Sequence, residues 1–205
     1  MKKIVVPGEL VTEQRKRTGE HVFAFNGKIY SDVVGMTDSE SDTAFVVPLK
    51  GFYVPKKDDI VIGLIVSELF SGFLVDINSF YLSFLSKEYL REPLKRGSVV
   101  SVRISKVNEL NEADVTDARV FYGGEIFSIL SIKVPRIIGK NASMLEILKR
   151  GTNSNFVVGR NGRIWAKGGN TKLLFRAIKK IEQEAHTSNL TNKMSDFLVK
   201  EKNNV

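Results

Sequence analysis

The 205-residue sequence predicts an α+β protein made of several small domains. Two observations lead there. Short β-branched and aromatic runs, separated by turn residues, fill residues 1–122, whereas helical spacing first appears after Gly123. Positive charge also gathers in the last third: residues 1–57, 58–122 and 123–205 carry net charges of +2, −3 and +9 within a total of +8. A local cationic excess of this kind attracts polyanions by releasing their counterions.

Residues 1–57 read as a β-rich N-terminal domain. Pro7-Gly8 opens a turn. Asn26-Gly27, between Val22 to Phe25 and Lys28 to Tyr30, predicts a two-residue hairpin because both residues accept positive φ. The runs ending at Pro48-Leu49 and Val54-Pro55 suit sheet edges. Asp38 to Asp42 is a polar loop.

Residues 58–122 hold a second set of strands. Ile60 to Val66 leads through Ser71-Gly72 into Phe73 to Ile77. Val100, Val102 and Ile104 alternate with Ser101, Arg103 and Ser105, the mark of a half-buried strand. Asn108 to Asp114 is a hairpin loop, and the chain returns through Val115 to Tyr122. Roughly five short strands in this length fit a closed OB-fold β-barrel.

Residues 123–187 read as an α/β domain in the order strand, helix, tight loop, helix, strand, strand, helix. Glu125 to Ser131 is the first strand, and Pro135 suits the first turn of a short helix. Gly139-Lys140-Asn141-Ala142 is the tight connection. Ser143 and Glu146 have the spacing of a capping box, Leu145, Ile147 and Leu148 supply an apolar face, and Gly151 is the expected C-cap. Asn155 to Val158 and Ile164 to Lys167 are strands. Leu174, Ala177, Ile178 and Ile181 recur at helical spacing, with Asn170 or Thr171 as cap. Residues 188–205 read as a polar C-terminal tail.

Several function classes are excluded or disfavoured. The absence of cysteine removes thiolate metal sites and thiol nucleophiles. His21 and His186 are distant in sequence and lack triad partners. Asp58-Asp59 and the pair Asp114 and Asp117 sit in or beside loops, where solvated acids are common. Gly123-Gly124 and Gly168-Gly169 lack the lysine-serine ending of a nucleotide loop. No catalytic residue, metal or cofactor is therefore expected. No apolar run is long enough for a bilayer, and no signal peptide is evident, so a cytoplasmic, membrane-free setting is expected.

The helix-loop-helix with Ile137-Ile138-Gly139-Lys140 resembles a KH domain of the first topological type, and Gly63 to Asn78 resembles an S1-type OB domain. Together with Pro7-Gly8-Glu9-Leu10, Ile29 to Gly35, Val75 to Ser79, Lys133 to Lys140 and Val158 to Trp165, they resemble the S1–KH cap subunits of the archaeal exosome. The resemblance implies a non-catalytic RNA-binding subunit. Three such caps, or a mixture with another cap subunit, would sit on a hexameric phosphorolytic ring. Single-stranded RNA would pass through a central pore to this 3′→5′ exoribonuclease, and the N-terminal domain would dock on the ring.

KH domains hold a nucleic-acid backbone with a Gly-x-x-Gly loop between two helices. Here Gly139 to Ala142 occupies that place, with Ala142 where glycine is usual, so Lys140 and Asn141 are candidate RNA contacts. Gly159-Arg160-Asn161-Gly162 admits two readings. Its residues look like a relocated clamp, which the family carries as Gly-x-Asn-Gly at this place. Its position between two strands and its Asn-Gly pair favour a hairpin turn. Arg160, Asn161 and Arg163 are candidates on the first reading, and both arginines remain so on the second. Arg136, Lys149, Arg150 and Lys167 complete the cationic set around these loops, with Arg136 and Lys167 the candidate RNA contacts among them. Arg103 and Lys106 are the pore-side candidates on the barrel. The positions where S1 domains usually place stacking aromatics read Ser71 and Leu74, and Trp165 is assigned to the core. The competing readings are a free-standing S1–KH factor of translation or transcription, and a metal-dependent nuclease.

Overall fold

The structure is a computed structural model and describes residues 2–38, 42–49, 52–90, 92–185, 187 and 189–203. The chain forms two compact units, Met1–Gly51 and Phe52–Val205.

The first unit contains β1 (Lys2–Val5), β2 (Leu10–Thr12), β3 (Arg17–Thr18), β4 (Val22–Phe25), β5 (Lys28–Ser31), β6 (Gly35–Asp38), β7 (Thr43–Ala44) and β8 (Val46–Pro48). They pair as β1-β6-β8, β2-β5-β4 and β3-β7. Asn26 and Gly27 take φ of 48° and 76° between the paired Phe25 and Lys28, the primed turn that the Asn-Gly signal calls for. Pro48 lies on β8, an edge strand, where its missing N–H breaks no ladder. Of the expected loop Asp38 to Asp42, residues 39–41 lie outside the described residues, as does His186. Val5, Ile29, Ala44 and Val46 form the unit's buried interior, while Ile4, Phe23, Phe25, Val34 and Val47 are exposed.

The second unit begins with a lead-in segment that packs on the barrel, so the sequence boundary at residue 57 falls too late. Tyr53 is buried in the barrel core, and its phenol donates to Asp59 Oδ2 at 2.5 Å. Burial, then that hydrogen bond, holds the phenol above its usual range, and it stays a neutral donor. The barrel comprises β9 (Ile60–Glu68), β10 (Gly72–Asp76), β11 (Ser83–Ser86), β12 (Val99–Val107) and β13 (Ala113–Phe121). The order β10-β11-β13-β12-β9 closes on itself, with β11 parallel to β13 and the other pairs antiparallel. This is OB topology. Val100, Val102 and Ile104 point inward against Val61, Ile65 and Val75, as their alternation requires.

The α/β part follows as β14 (Glu125–Ser128), α1 (Val134–Ile138), α2 (Ser143–Thr152), β15 (Asn155–Val158), β16 (Arg163–Lys167), α3 (Thr171–Glu184) and α4 (Leu190–Asn203). Its sheet runs β14-β16-β15, all antiparallel. The order through α3 is that of a type I KH domain. Pro135 sits in the first turn of α1, and the Asn170 side chain accepts from the Leu173 N–H at 2.9 Å to cap α3.

Three local expectations are corrected. The capping box does not form: Ala142 is the N-cap of α2, left-handed and without a side-chain acceptor, and Ser143 is already helical. Gly151 lies inside α2, and Asn153, at φ 52°, ends the helix instead. A Cβ on Gly151 would come within 2.5 Å of Leu198 Cδ1, so this glycine provides room for another helix. That helix is α4, which replaces the polar tail expected over 188–205. Leu190, Met194 and Leu198, spaced by four, are buried in the α/β core with Leu148 and Ile178. Each such burial contributes on the order of 2 kcal/mol. No helix among the described residues is long and apolar enough to cross a membrane.

Candidate nucleic-acid interface

The hairpin between β15 and β16 is a joint, and its geometry follows from a gap in the barrel. β10 pairs with β9 only as far as Leu64, while β9 begins at Ile60. The backbone groups of Ile60 and Ile62 on that side lack a strand partner, and unpaired buried amides are costly. The hairpin fills the gap. The Arg160 N–H donates to the Ile60 carbonyl at 3.0 Å. Asn161 Nδ2 donates to the carbonyls of Ile62 (2.8 Å) and Ile77 (2.7 Å), and the Ile62 N–H donates to Asn161 Oδ1 at 3.2 Å. The Asn161 side chain thus imitates a short piece of strand. Asn78 Nδ2 donates back to the Asn161 carbonyl at 3.0 Å. Next to it, Arg163 Nη1 donates to the Asp76 carbonyl and Nη2 to Asp76 Oδ2 at 2.6 Å.

These contacts correct two expected RNA contacts. Asn161 is 0% exposed and its amide is fully committed to barrel backbone. The Arg163 side chain is 14% exposed and bound by Asp76. Neither side chain can reach a phosphate without dismantling the joint. The turn itself differs from the two-residue form. Gly159 and Gly162 bond at 3.0 Å, the Gly159 N–H donates to the Arg163 carbonyl at 2.8 Å, and Gly162 has φ 81°. This is a three-residue loop with a glycine bulge. Arg160 alone of the motif's side chains stays in solvent.

The loop between α1 and α2 is open. Gly139, Asn141 and Ala142 have φ of 74°, 51° and 61°. Gly139 is required, since a Cβ there would meet the Met144 amide nitrogen at 2.7 Å. Ala142 takes the left-handed backbone that its methyl group disfavours, at about 1 kcal/mol. Arg136, Lys140 and Asn141 are exposed. Arg136 and Lys140 line one cleft of about 370 Å³ with Gly139, Ser143 and, from the first turn of α4, Thr191 and Asn192. Two cations, hydroxyls and the amide end of a 14-residue helix face the same space. Such a set suits an anionic backbone.

The remaining candidates lie elsewhere. Lys167, at the far end of β16 from the hairpin, donates to the Tyr122 carbonyl at 2.7 Å. Arg103 Nε pairs with Asp117 Oδ2 at 3.2 Å, and Lys106 is exposed where β12 faces Asp114. The structure thus brings Arg136 and Lys140 to one cleft and leaves Lys167, Arg103 and Lys106 outside its lining. Trp165 is in the core, stacked on Phe121 with centroids 4.4 Å apart, its Nε1–H donating to the Gly123 carbonyl. Among the described residues no group of three His, Asp or Glu side chains gathers as a cation site.

Sequence reasoning missed Asp76 and Asn78, which hold the joint from the barrel side, and the α4 wall of the cleft. The first two carry no local signal. The α4 wall had one: the spacing of Leu190, Met194 and Leu198.

Comparison with known proteins agrees with this architecture. A family model described as the N-terminal domain of the exosome RNA binding protein RRP4 matches residues 2–50. The exosome complex component Rrp4 of Pyrococcus furiosus is 36% identical, over 97% of this chain and 83% of the relative. That of Methanobrevibacter smithii is 38% identical over 96% of this chain and 71% of the relative. A solved crystal structure described as an exosome complex RNA-binding protein superposes with a TM-score of 0.67 at 32% identity, covering 75% of this chain and 98% of that one. With its three-part β, barrel and α/β order and this identity along nearly its whole length, the chain belongs to the Rrp4 family of exosome complex components.

Proposed function

We propose that this protein is a non-catalytic RNA-binding cap subunit of an archaeal exosome. It captures single-stranded RNA and guides the 3′ end through a central pore to a hexameric phosphorolytic 3′→5′ exoribonuclease ring in the cytoplasm. The observation that carries this reading is the 36% identity to an exosome complex component across 97% of the chain. The geometry supports it in two ways. The cleft at Arg136 and Lys140 offers exposed charge without a shaped catalytic pocket, as backbone capture requires. The first unit exposes Ile4 and Val47 on one of its sheets and Phe23 and Phe25 on another, apolar side chains available for docking on a protein ring. Three copies per ring, or a mixture with a second cap subunit, complete the proposal. Asn141, Arg160, Arg103, Lys106 and Lys167 serve as supporting backbone contacts.

The test is reconstitution with the phosphorolytic ring of a related archaeon. The expected result is a stable complex that degrades labelled RNA faster than the ring alone, while the isolated chain degrades none. A chain that binds RNA but never the ring would instead favour the free-standing S1–KH factor.

A further inference from the structure

The strand face of the barrel offers little to a base. Phe73 is buried, and the positions where stacking aromatics are usual hold Ser71 and Leu74. Beyond Phe70, which is exposed in the turn between β9 and β10, a group of exposed rings gathers in the loop that follows β10. Phe80 and Tyr81, in the loop between β10 and β11, join Phe52 of the lead-in segment. They are 74%, 40% and 71% exposed. Phe52 and Phe80 meet edge to face at 6.1 Å and 83°, and Phe80 and Tyr81 at 5.0 Å and 75°. Each edge-to-face contact covers one ring face, and the exposures of 74%, 40% and 71% show that other ring surface stays open to solvent.

The loop that carries two of these rings is braced. The Asn78 N–H donates to Asp76 Oδ1 at 2.8 Å, Asn78 Nδ2 donates to the Asn161 carbonyl at 3.0 Å, and Ser79 Oγ donates to the Tyr81 carbonyl at 2.7 Å. Asp76 and Asn161 are the residues of the joint, so the rings are held before any ligand arrives and lose little freedom on binding. The hairpin also brings a cation. Arg160 is exposed, its N–H donates to the Ile60 carbonyl, and the next residue of the hairpin, Asn161, accepts through its carbonyl from Asn78 of the ring-bearing loop.

We propose that Phe52, Phe80 and Tyr81 form a base-stacking ledge for single-stranded RNA, with Arg160 holding the adjacent phosphate. Open π faces accept any base, and a nearby guanidinium adds charge. Three rings kept in water beside a cation suit a stacked strand better than a helical peptide, which needs a groove with spaced pockets. The ledge rests on the RNA-binding reading above and adds a contact remote from the cleft at Lys140.

The test uses the full chain and a fluorescein-labelled oligoadenylate of about ten nucleotides. The double variant Phe52→Ala, Phe80→Ala is expected to weaken binding about tenfold. The dependence of log Kd on log salt should stay unchanged, because no counterion-releasing charge is lost. An abasic strand of equal length should bind parent and variant alike, and Phe80→Trp should retain affinity. If the double variant fails to fold by circular dichroism, Phe80→Leu, which keeps apolar bulk without a π face, should show the same direction of loss. Equal oligoadenylate binding by parent and variant overturns the ledge and leaves the RNA reading intact. Weakened ring assembly with unchanged RNA affinity assigns the rings to a protein partner and also overturns it. A parent chain without affinity for oligoadenylate removes both readings.

Discussion

Gly139 to Ala142 and Gly159 to Gly162 are both four-residue motifs that begin with glycine, in one α/β domain, and they end in opposite states. The second has the fuller glycine pattern and an asparagine between two glycines, yet Asn161 is buried and serves as a seam with the barrel. The first lacks its second glycine and still adopts the left-handed turn, leaving Lys140 in solvent. Motif likeness therefore does not tell which of the two loops stays open to solvent. What separates them is the neighbour. The barrel strand β9 extends past its partner and needs hydrogen bonds, and the hairpin supplies them. The α1–α2 loop faces a cleft that asks for nothing from it.

The contrast can be broken by mutation. Asn161→Ala should cost about 4 kcal/mol in denaturant unfolding, because three barrel backbone groups lose their partners at about 1–3 kcal/mol each, partly relieved by water. A loss below about 1 kcal/mol would mean the joint is not structural. Leu198→Ala, which opens a cavity against Gly151 and loosens the α4 wall of the cleft, should cost about 3 kcal/mol in the same measurement. The double change Arg136→Ala, Lys140→Ala should leave stability alone and weaken RNA binding about fivefold for every sequence alike. It should also flatten the salt dependence by roughly one unit of slope, read by fluorescence anisotropy. A change restricted to one base would argue against backbone contact there. Ala142→Gly should raise stability by about 0.5 kcal/mol, by relieving a left-handed alanine against the greater unfolded freedom of glycine. Equal or better RNA affinity in that variant would show that the methyl group does not serve the cleft.

Much of the architecture was legible because it is written in short-range patterns. The alternation at Val100 to Ser105 placed β12, Asn26-Gly27 placed the primed turn, and Leu174 to Ile181 placed α3. The capping box at Ser143 misled because two left-handed residues deliver the chain to the helix one position early. Gly151 misled because glycine ends helices in one context and admits a crossing helix in another. The helix α4 was hidden by a lysine- and asparagine-rich composition, although three apolar residues at fourfold spacing suffice to anchor a helix on an existing core.

Periodicity and turn chemistry act between residues a few positions apart, so the amino-acid order was enough to set the strand and helix types, their order along the chain, and a positively charged last third. The roles of Asn161 and Arg163 depend on Ile62, Ile77 and Asp76, which lie 84 to 99 residues away in the chain. Only packing of the barrel against the hairpin creates that unpaired edge of β9, and so it was assembly in three dimensions that turned two expected RNA contacts into a seam and left Arg136 and Lys140 facing solvent.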